Sequence, residues 1–460
     1  MIPLSLIKIA KIIEGKLIGT NSNIQTVITD TRSRPSTTKA LFIALKGKRF
    51  DAHDFLVIAN HLQQLGVIAA VVSRILPINI NLSQILVQDT RIALGKLAAW
   101  VRQQVKTKVL ALTGSCGKST VKEMVTSILC QCGKTLSTRN NNNNDIGVSL
   151  TLLQLTEEYI FAIIEVGTNH PGEIAYSIQL IRPDVVLINN IGLSHLQGLR
   201  SLLGVALEKG QILSGLVKNG LAIINYNSHY IEFWKKLLCD KTVLFFSLTE
   251  QEQGKIHFFA SNIMVTARNT LFTLNSYQGK IDILLPLLGE HNVANALAAS
   301  ALASSLNICL KKIKTGLESV KILPGRLHAS FLDIDKNQLL IDDTYNANVS
   351  SMIAAAMTLE KMPGYLVMVI GDMAELGKYS LECHRQVGLV VRTTRIDKII
   401  SIGNFSKNIS QIHRHGEHFY DQLSLIKHLK MLLSKYRNIT ILIKGSRNML
   451  MENIVSSLQD

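Results

Sequence analysis

The chain alternates between short apolar runs and longer stretches in which apolar residues recur every three or four positions. The runs VLAL (Val109–Leu112), FAIIEVG (Phe161–Gly167), VVLINNIG (Val185–Gly192), GLAIIN (Gly220–Asn225) and TVLFFS (Thr242–Ser247) predict buried strands. After the first of them, Val121, Met124, Val125, Ile128 and Leu129 fall on one face of a predicted helix. Strands alternating with helices in this way predict a doubly wound parallel sheet. FTLNS and KIDILLP predict a short antiparallel pair behind it.

The same reading divides the chain into three α/β units, over residues 1–106, 107–322 and 323–460. In the first, LFIAL, VIAAVVS and ILVQD predict strands, with a helix from about Phe55 to Leu65. In the last, a Rossmann-like sheet is predicted from LLIDD, YLVMVIG, KIISIG and ITILIKG. The uncharged run from His291 to Leu310 is long enough to span a bilayer. Asn292, Asn295, Asn307 and its serines favour a buried, Ala-rich helix instead, so no membrane span is expected. MIPLSLIKIAKIIEGK has lysines within its apolar stretch and no small-residue cleavage site, and it predicts an amphipathic helix rather than a signal peptide.

Composition adds a charge of +16, from 49 Lys+Arg against 33 Asp+Glu. The basic residues are scattered, KGKR at Lys46–Arg49 being the densest run, and aromatic residues are few. Base-stacking platforms therefore have little support, and an anionic substrate explains the charge better than nucleic acid does. The six cysteines form no C-x-x-C pair, so no zinc site or disulfide framework is indicated, and free thiols suit a cytoplasmic location.

Chemistry concentrates in TGSCGKST, Thr113–Thr120, which stands between a predicted strand and a predicted helix. Unpaired backbone N–H groups at a helix N-terminus suit a polyphosphate, and Gly114 and Gly117 admit it closely. The backbone from Thr113 through Ser115 and Cys116 would wrap the phosphates. Lys118 would reach the β/γ-phosphates, and Ser119 or Thr120 would hold Mg²⁺. The spacing is shorter than the usual phosphate loop, because Leu112 stands where its first glycine would be. Glu165 and His195 lie at the ends of two predicted strands, on the edge where open sheets bind ligands, and a carboxylate and an imidazole there suit a divalent metal. Asp30, Arg32, Lys46, Arg49, Asp51 and His53 gather on loops of the first unit. Asp343, Asp372, Lys444 and Arg447 follow strands of the third. A cleft between the second and third units is the expected active site.

Taken in order, these segments resemble the Mur ligase family of ATP-dependent amide-bond ligases. TGSCGKST with VKEM resembles its ATP loop, and NNNNDIGVSLTLL, EVGTNHPGEI, NNIGLSHLQGL, GEHNVANALAA, PGR, DDTYNANVSSM, GDMAELG and KGSR follow as they do in the family. Four positions depart from its pattern: Ser149, Arg200, Gln211 and Val349. The resemblance implies ATP and Mg²⁺, with UDP-MurNAc-tripeptide and D-alanyl-D-alanine as substrates, an acyl phosphate between them, and a monomer. It implies that Ser119, Glu165 and His195 hold metal. It places Asn292 and Asn295 at the adenine, and Arg326 and Asp343 at phosphate or ribose. Asp30, Arg32, Lys46, Asp51, His53, Asn144, Asn346, Asn348, Lys444 and Arg447 would contact the substrates. Lys209 matches a lysine that relatives can carry as a carbamate; a plain lysine paired to phosphate fits the sequence equally. The alternatives are a diamino-acid-adding or folylpolyglutamate-type ligase, which would share the ATP chemistry, and a phosphate-loop ATPase acting on nucleic acid.

Overall fold

The computed structural model describes every residue except 33–38, 48–49, 57–61, 63, 77–81, 251–253 and 460. Arg49 and much of the helix expected at 55–65 lie outside the described residues. Among those described, three larger sheets carry the chain. The first has the order Lys16–Ile18, Ser83–Leu86, Val67–Val72, Ala40–Ile43, Thr26–Ile28 and is parallel except for its first pair.

The central sheet has nine strands. Its parallel part runs from Thr135–Ser137 through Phe161–Glu165, Lys108–Thr113, Val185–Ile188, Leu221–Asn225 and Thr242–Phe246 to Phe258–Val265. Two of these strands, Thr135–Ser137 and Phe258–Val265, are absent from the sequence reading. The first is only three residues long. The second alternates buried and exposed positions and so lacks a continuous apolar run. The expected antiparallel pair is thus a three-stranded antiparallel extension, Phe258–Val265, Thr270–Ser276 and Gly279–Leu285.

The third sheet has the order His328–Asp333, Gln338–Asp343, Ile439–Lys444, Tyr365–Gly371, Lys398–Ile402, Gly416–Phe419. It is parallel except for its first pair.

The helix Lys118–Leu129 buries Val121, Met124, Val125, Ile128 and Leu129 completely. Each such side chain contributes about 1.5–3 kcal/mol of transfer free energy, so the helix start is held firmly at the sheet edge. It packs on Glu290–Ser304, whose alanines let it sit close and which is buried nearly all round, as expected of the uncharged run. Among the described residues no helix is long and apolar enough to cross a membrane.

The packing couples the three units. The helix Thr90–Gln104 buries Leu94, Leu97, Ala98 and Val101 in one core that contains both Leu6, Ile9 and Leu41 and the central residues Val109, Ala111 and Ile164. Its Arg91 pairs with Asp145 of the central unit. A second core joins Leu196, Leu199 and Val205 to Leu327, Ile341, Val349 and Met352 of the third unit.

Candidate active site

The phosphate-type loop leaves the strand at Thr113, whose hydroxyl donates to the Val166 carbonyl at 2.8 Å. Gly117 caps the helix with φ 76°, in the left-handed region, and a Cβ there would lie 2.3 Å from Asn295 Oδ1. Both facts demand glycine. The first helical bond runs from the Val121 N–H to the Gly117 carbonyl, so the N–H groups ahead of it have no partner within the helix. Lys118 is half-buried and folds back, its ammonium donating to the Gly114 carbonyl at 2.7 Å. Ser119 is buried beside it, and Thr120 is half-buried. Ser115 Oγ is bonded to the Gly192 carbonyl at 3.0 Å.

Glu165 ends its strand nearly fully buried. Its Oε1 accepts from Asn143 Nδ2 at 2.8 Å, while Oε2 has no hydrogen-bond partner among the described residues. A buried carboxylate oxygen without a partner is costly, and a divalent cation beside Ser119 would satisfy it. The candidate metal residues therefore fit such an ion, although no group of three or more His, Cys, Asp or Glu side chains clusters among the described residues. Asn144, the neighbour of Asn143, makes a different bond. It caps the helix Asp145–Leu152 by accepting from the Gly147 N–H at 2.8 Å.

His195 takes a left-handed backbone, φ 53°. Its Nδ1 lies 2.6 Å from Glu375 Oε2, off the line of a hydrogen bond. Glu375, also left-handed at φ 62°, comes from the GDMAELG loop of the third unit. The His195 ring and the charge of Lys118 hold its carboxyl below the usual range despite partial burial. Nothing along the chain marks Glu375 for a role, because only the tertiary fold brings residues 195 and 375 together. Substituting Glu165 or His195 by alanine is expected to slow catalysis at least tenfold at low Mg²⁺ and less at high Mg²⁺. Magnesium titration of initial rates checks this, and losses independent of Mg²⁺ would remove both residues from the metal site.

Lys209 is fully buried, and its side-chain nitrogen has no hydrogen-bond partner among the described residues. Burial, helped by the nearby Lys118 charge, drives its pKa well below the ordinary lysine value. Its neighbour Glu208 instead accepts from the backbone N–H groups of Gly172 and Ile174 at 2.8 and 2.9 Å, pinning the TNHPGE loop.

The third unit reaches the loop directly. Arg326 Nη2 donates to Ser119 Oγ at 3.1 Å, and its guanidinium lies 4.2 Å from the Tyr345 ring centre. Asn348 Oδ1 accepts from the Cys116 thiol at 3.1 Å. Asp343 and Lys444 form a buried ion pair at 2.7 Å, and Lys444 also donates to the Asn346 carbonyl at 2.8 Å. Burial raises the Asp343 carboxyl above its ordinary value even with Lys444 opposing it. Arg447 faces outward and pairs with Glu452 at 2.8 Å, so it is not drawn into this cluster. Asn292 and Asn295 are both buried. Asn295 gives its Nδ2 to Asn292 Oδ1 at 3.0 Å and its Oδ1 accepts from Asn189 at 2.9 Å, so they buttress the loop from behind.

The first-unit residues separate into two kinds. Asp30 and Arg32 form an exposed bidentate pair. Asp51 and His53 bond to each other: His53 is buried, its Nδ1 2.6 Å from Asp51 and its Nε2 accepting from the Ser73 N–H at 2.9 Å. Lys46 and Asp51 are bridged by their backbones. Ser73 also lines an open cleft of about 550 Å³ with Gly15, Lys16 and Gln88.

This geometry has known counterparts. Residues 112–303 match the Mur ligase middle domain, and residues 326–447 match the Mur ligase glutamate ligase domain. The chain is similar over its whole length to the UDP-N-acetylmuramoyl-tripeptide–D-alanyl-D-alanine ligase of Escherichia coli, at 49% identity, covering 100% of this chain and 99% of that one. The ligase of the same name from Haemophilus influenzae is 43% identical over 100% and 99%. A crystal structure of MurF from Acinetobacter baumannii superposes with a TM-score of 0.91 at 35% identity, covering 99% of both chains. With its glycine-lysine loop, buried carboxylate and third-unit arginine set in that shared frame from end to end, this chain belongs to the Mur ligase family.

Proposed function

We propose that this enzyme joins D-alanyl-D-alanine to UDP-MurNAc-tripeptide with ATP, giving the UDP-MurNAc-pentapeptide precursor of peptidoglycan, ADP and phosphate. The observation that carries the reading is full-length identity of 49% to a ligase bearing that name. Mass spectrometry of a reaction with all three substrates should find the pentapeptide. No product from folded enzyme would overturn the reading, and ATP hydrolysis stimulated by added DNA or RNA would favour the nucleic-acid alternative.

A carboxylate is a poor electrophile because its oxygen is a poor leaving group. In the first step the tripeptide carboxylate oxygen bonds to the γ-phosphorus and ADP departs. In the second, the D-alanyl-D-alanine amine bonds to the acyl carbon, loses a proton, and phosphate leaves. Both steps gather negative charge beside Lys118, the loop N–H groups and Arg326, which stabilise it electrostatically. Ser119, Glu165 and His195 would hold Mg²⁺, which when bound neutralises phosphate charge. Asp343 positions Arg326 and Lys444 by charge. A third unit seated on the loop limits access of water to the acyl phosphate.

The division of labour is also a proposal. Residues 1–106 carry the uridine end, 107–322 the ATP, and 323–460 the dipeptide side. The exposed Arg32 supports the first assignment, since a guanidinium suits a diphosphate. Arg32→Ala is expected to weaken UDP-MurNAc-tripeptide binding about tenfold and leave ATP binding unchanged, measured by calorimetry. Unchanged UDP-substrate affinity would refute it. Cutting the chain at Thr107 is a poorer test, because it removes the helix Thr90–Gln104 from the core it shares with the central unit. A monomer in the cytoplasm completes the reading, with sedimentation and cell fractionation as the checks.

A further inference from the structure

The strand Val185–Ile188 ends in Asn189 and Asn190, and neither is explained by metal or substrate contacts. Their side chains converge on the backbone of one residue of the phosphate loop, Cys116. Asn190 Oδ1 accepts from the Cys116 N–H at 2.8 Å, and Asn190 Nδ2 donates to the Cys116 carbonyl at 3.0 Å. Asn189 Nδ2 donates to the same carbonyl at 3.0 Å and to Asn295 Oδ1 at 2.9 Å. The Asn190 carbonyl accepts from the Ser115 N–H at 3.0 Å.

We infer that Asn190 is a positioning residue for the nucleotide-binding loop, its amide clamping the Cys116 peptide so that the following N–H groups stay aimed at the phosphates. A primary amide carries an acceptor and a donor side by side, and it matches the N–H and C=O of a single residue. With that peptide fixed, the left-handed turn at Gly117 has one orientation. The unpaired N–H groups of the first helical turn then point into the cleft before any phosphate arrives. Four residues separate Asn190 from His195, so the same segment also sets the distance between the loop and the candidate metal side. Without the clamp, ordering of the loop would fall to the incoming nucleotide, and binding would weaken.

The inference rests on the ATP-ligase reading, and its test is separable from it. Kinetics and ADP calorimetry on the full chain compare Asn190→Ala and Asn190→Asp with the parent. The alanine variant should raise KM for ATP and Kd for ADP by about tenfold to thirtyfold, with KM for D-alanyl-D-alanine unchanged within about twofold. The aspartate variant has the same shape but faces the Cys116 carbonyl with an oxygen, and it should be impaired at least as much. It also keeps the test available if the alanine variant misfolds. A role in packing alone predicts near-parental behaviour for aspartate. An unchanged ADP affinity in that variant, or equal rises in the KM of every substrate, overturns the inference. Parent enzyme that binds ADP but forms no pentapeptide would overturn the ligase reading while leaving the ADP comparison valid.

Discussion

In a Lys118→Ala variant, ligation is expected to fall by about 10²- to 10³-fold while the thermal unfolding midpoint scarcely moves. The asymmetry follows from its surroundings. Lys118 is half-buried, and among the described residues its ammonium donates only to the Gly114 carbonyl. The apolar face of the helix it begins is formed by Val121, Met124, Val125, Ile128 and Leu129, none of which it supports. Loss of that one bond costs about 1 kcal/mol at most. The transition states of both chemical steps place charge where Lys118 would reach, and no water can substitute with a full positive charge. Initial rates beside a calorimetric melt check the expectation. Near-parental turnover in the variant would sink the assignment of the loop to phosphate.

The second large effect is expected at Lys209. A neutral amine in a fully buried site attacks carbon dioxide: the nitrogen bonds to carbon, a proton leaves, and a carbamate anion remains. The structure supplies the conditions, since burial and the adjacent Lys118 charge lower the Lys209 pKa and its nitrogen has no hydrogen-bond partner among the described residues. The carbamate anion so formed attracts Lys118, whose charge disfavours an ammonium at Lys209. Lys209→Ala is expected to lose about a hundredfold in rate. Parent enzyme prepared in carbon-dioxide-free buffer is expected to be slow and to recover with bicarbonate, whereas the variant should not respond. A parent indifferent to bicarbonate, with no added mass on Lys209, would favour the unmodified lysine.

Much of this molecule is legible along the chain because its signals are local. Short apolar runs become the parallel strands of the central sheet, and the 3.6-residue period of Val121 to Leu129 becomes a buried face. The TGSCGKST turn needs only its neighbours to be a strand-to-helix loop, and Gly117 takes the left-handed backbone that its type allows. Strands with weak or alternating patterns, Thr135–Ser137 and Phe258–Val265, are defined by the strands they pair with, Phe161–Glu165 for the first and the next strand of a hairpin for the second.

The tertiary structure alone decides how the units meet. Sequence spacing cannot bring Glu375 to His195, Arg326 to Ser119, or Asn190 to Cys116, because each contact joins separate elements at a sheet edge. It also gives residues bonds that their types alone do not name: His53 bonds with Asp51 and Ser73, and Asn144 caps a helix while Asn143 reaches Glu165. A residue's type states which bonds it can make. Which of them it makes depends on the packing that surrounds it, and packing is set by the whole chain.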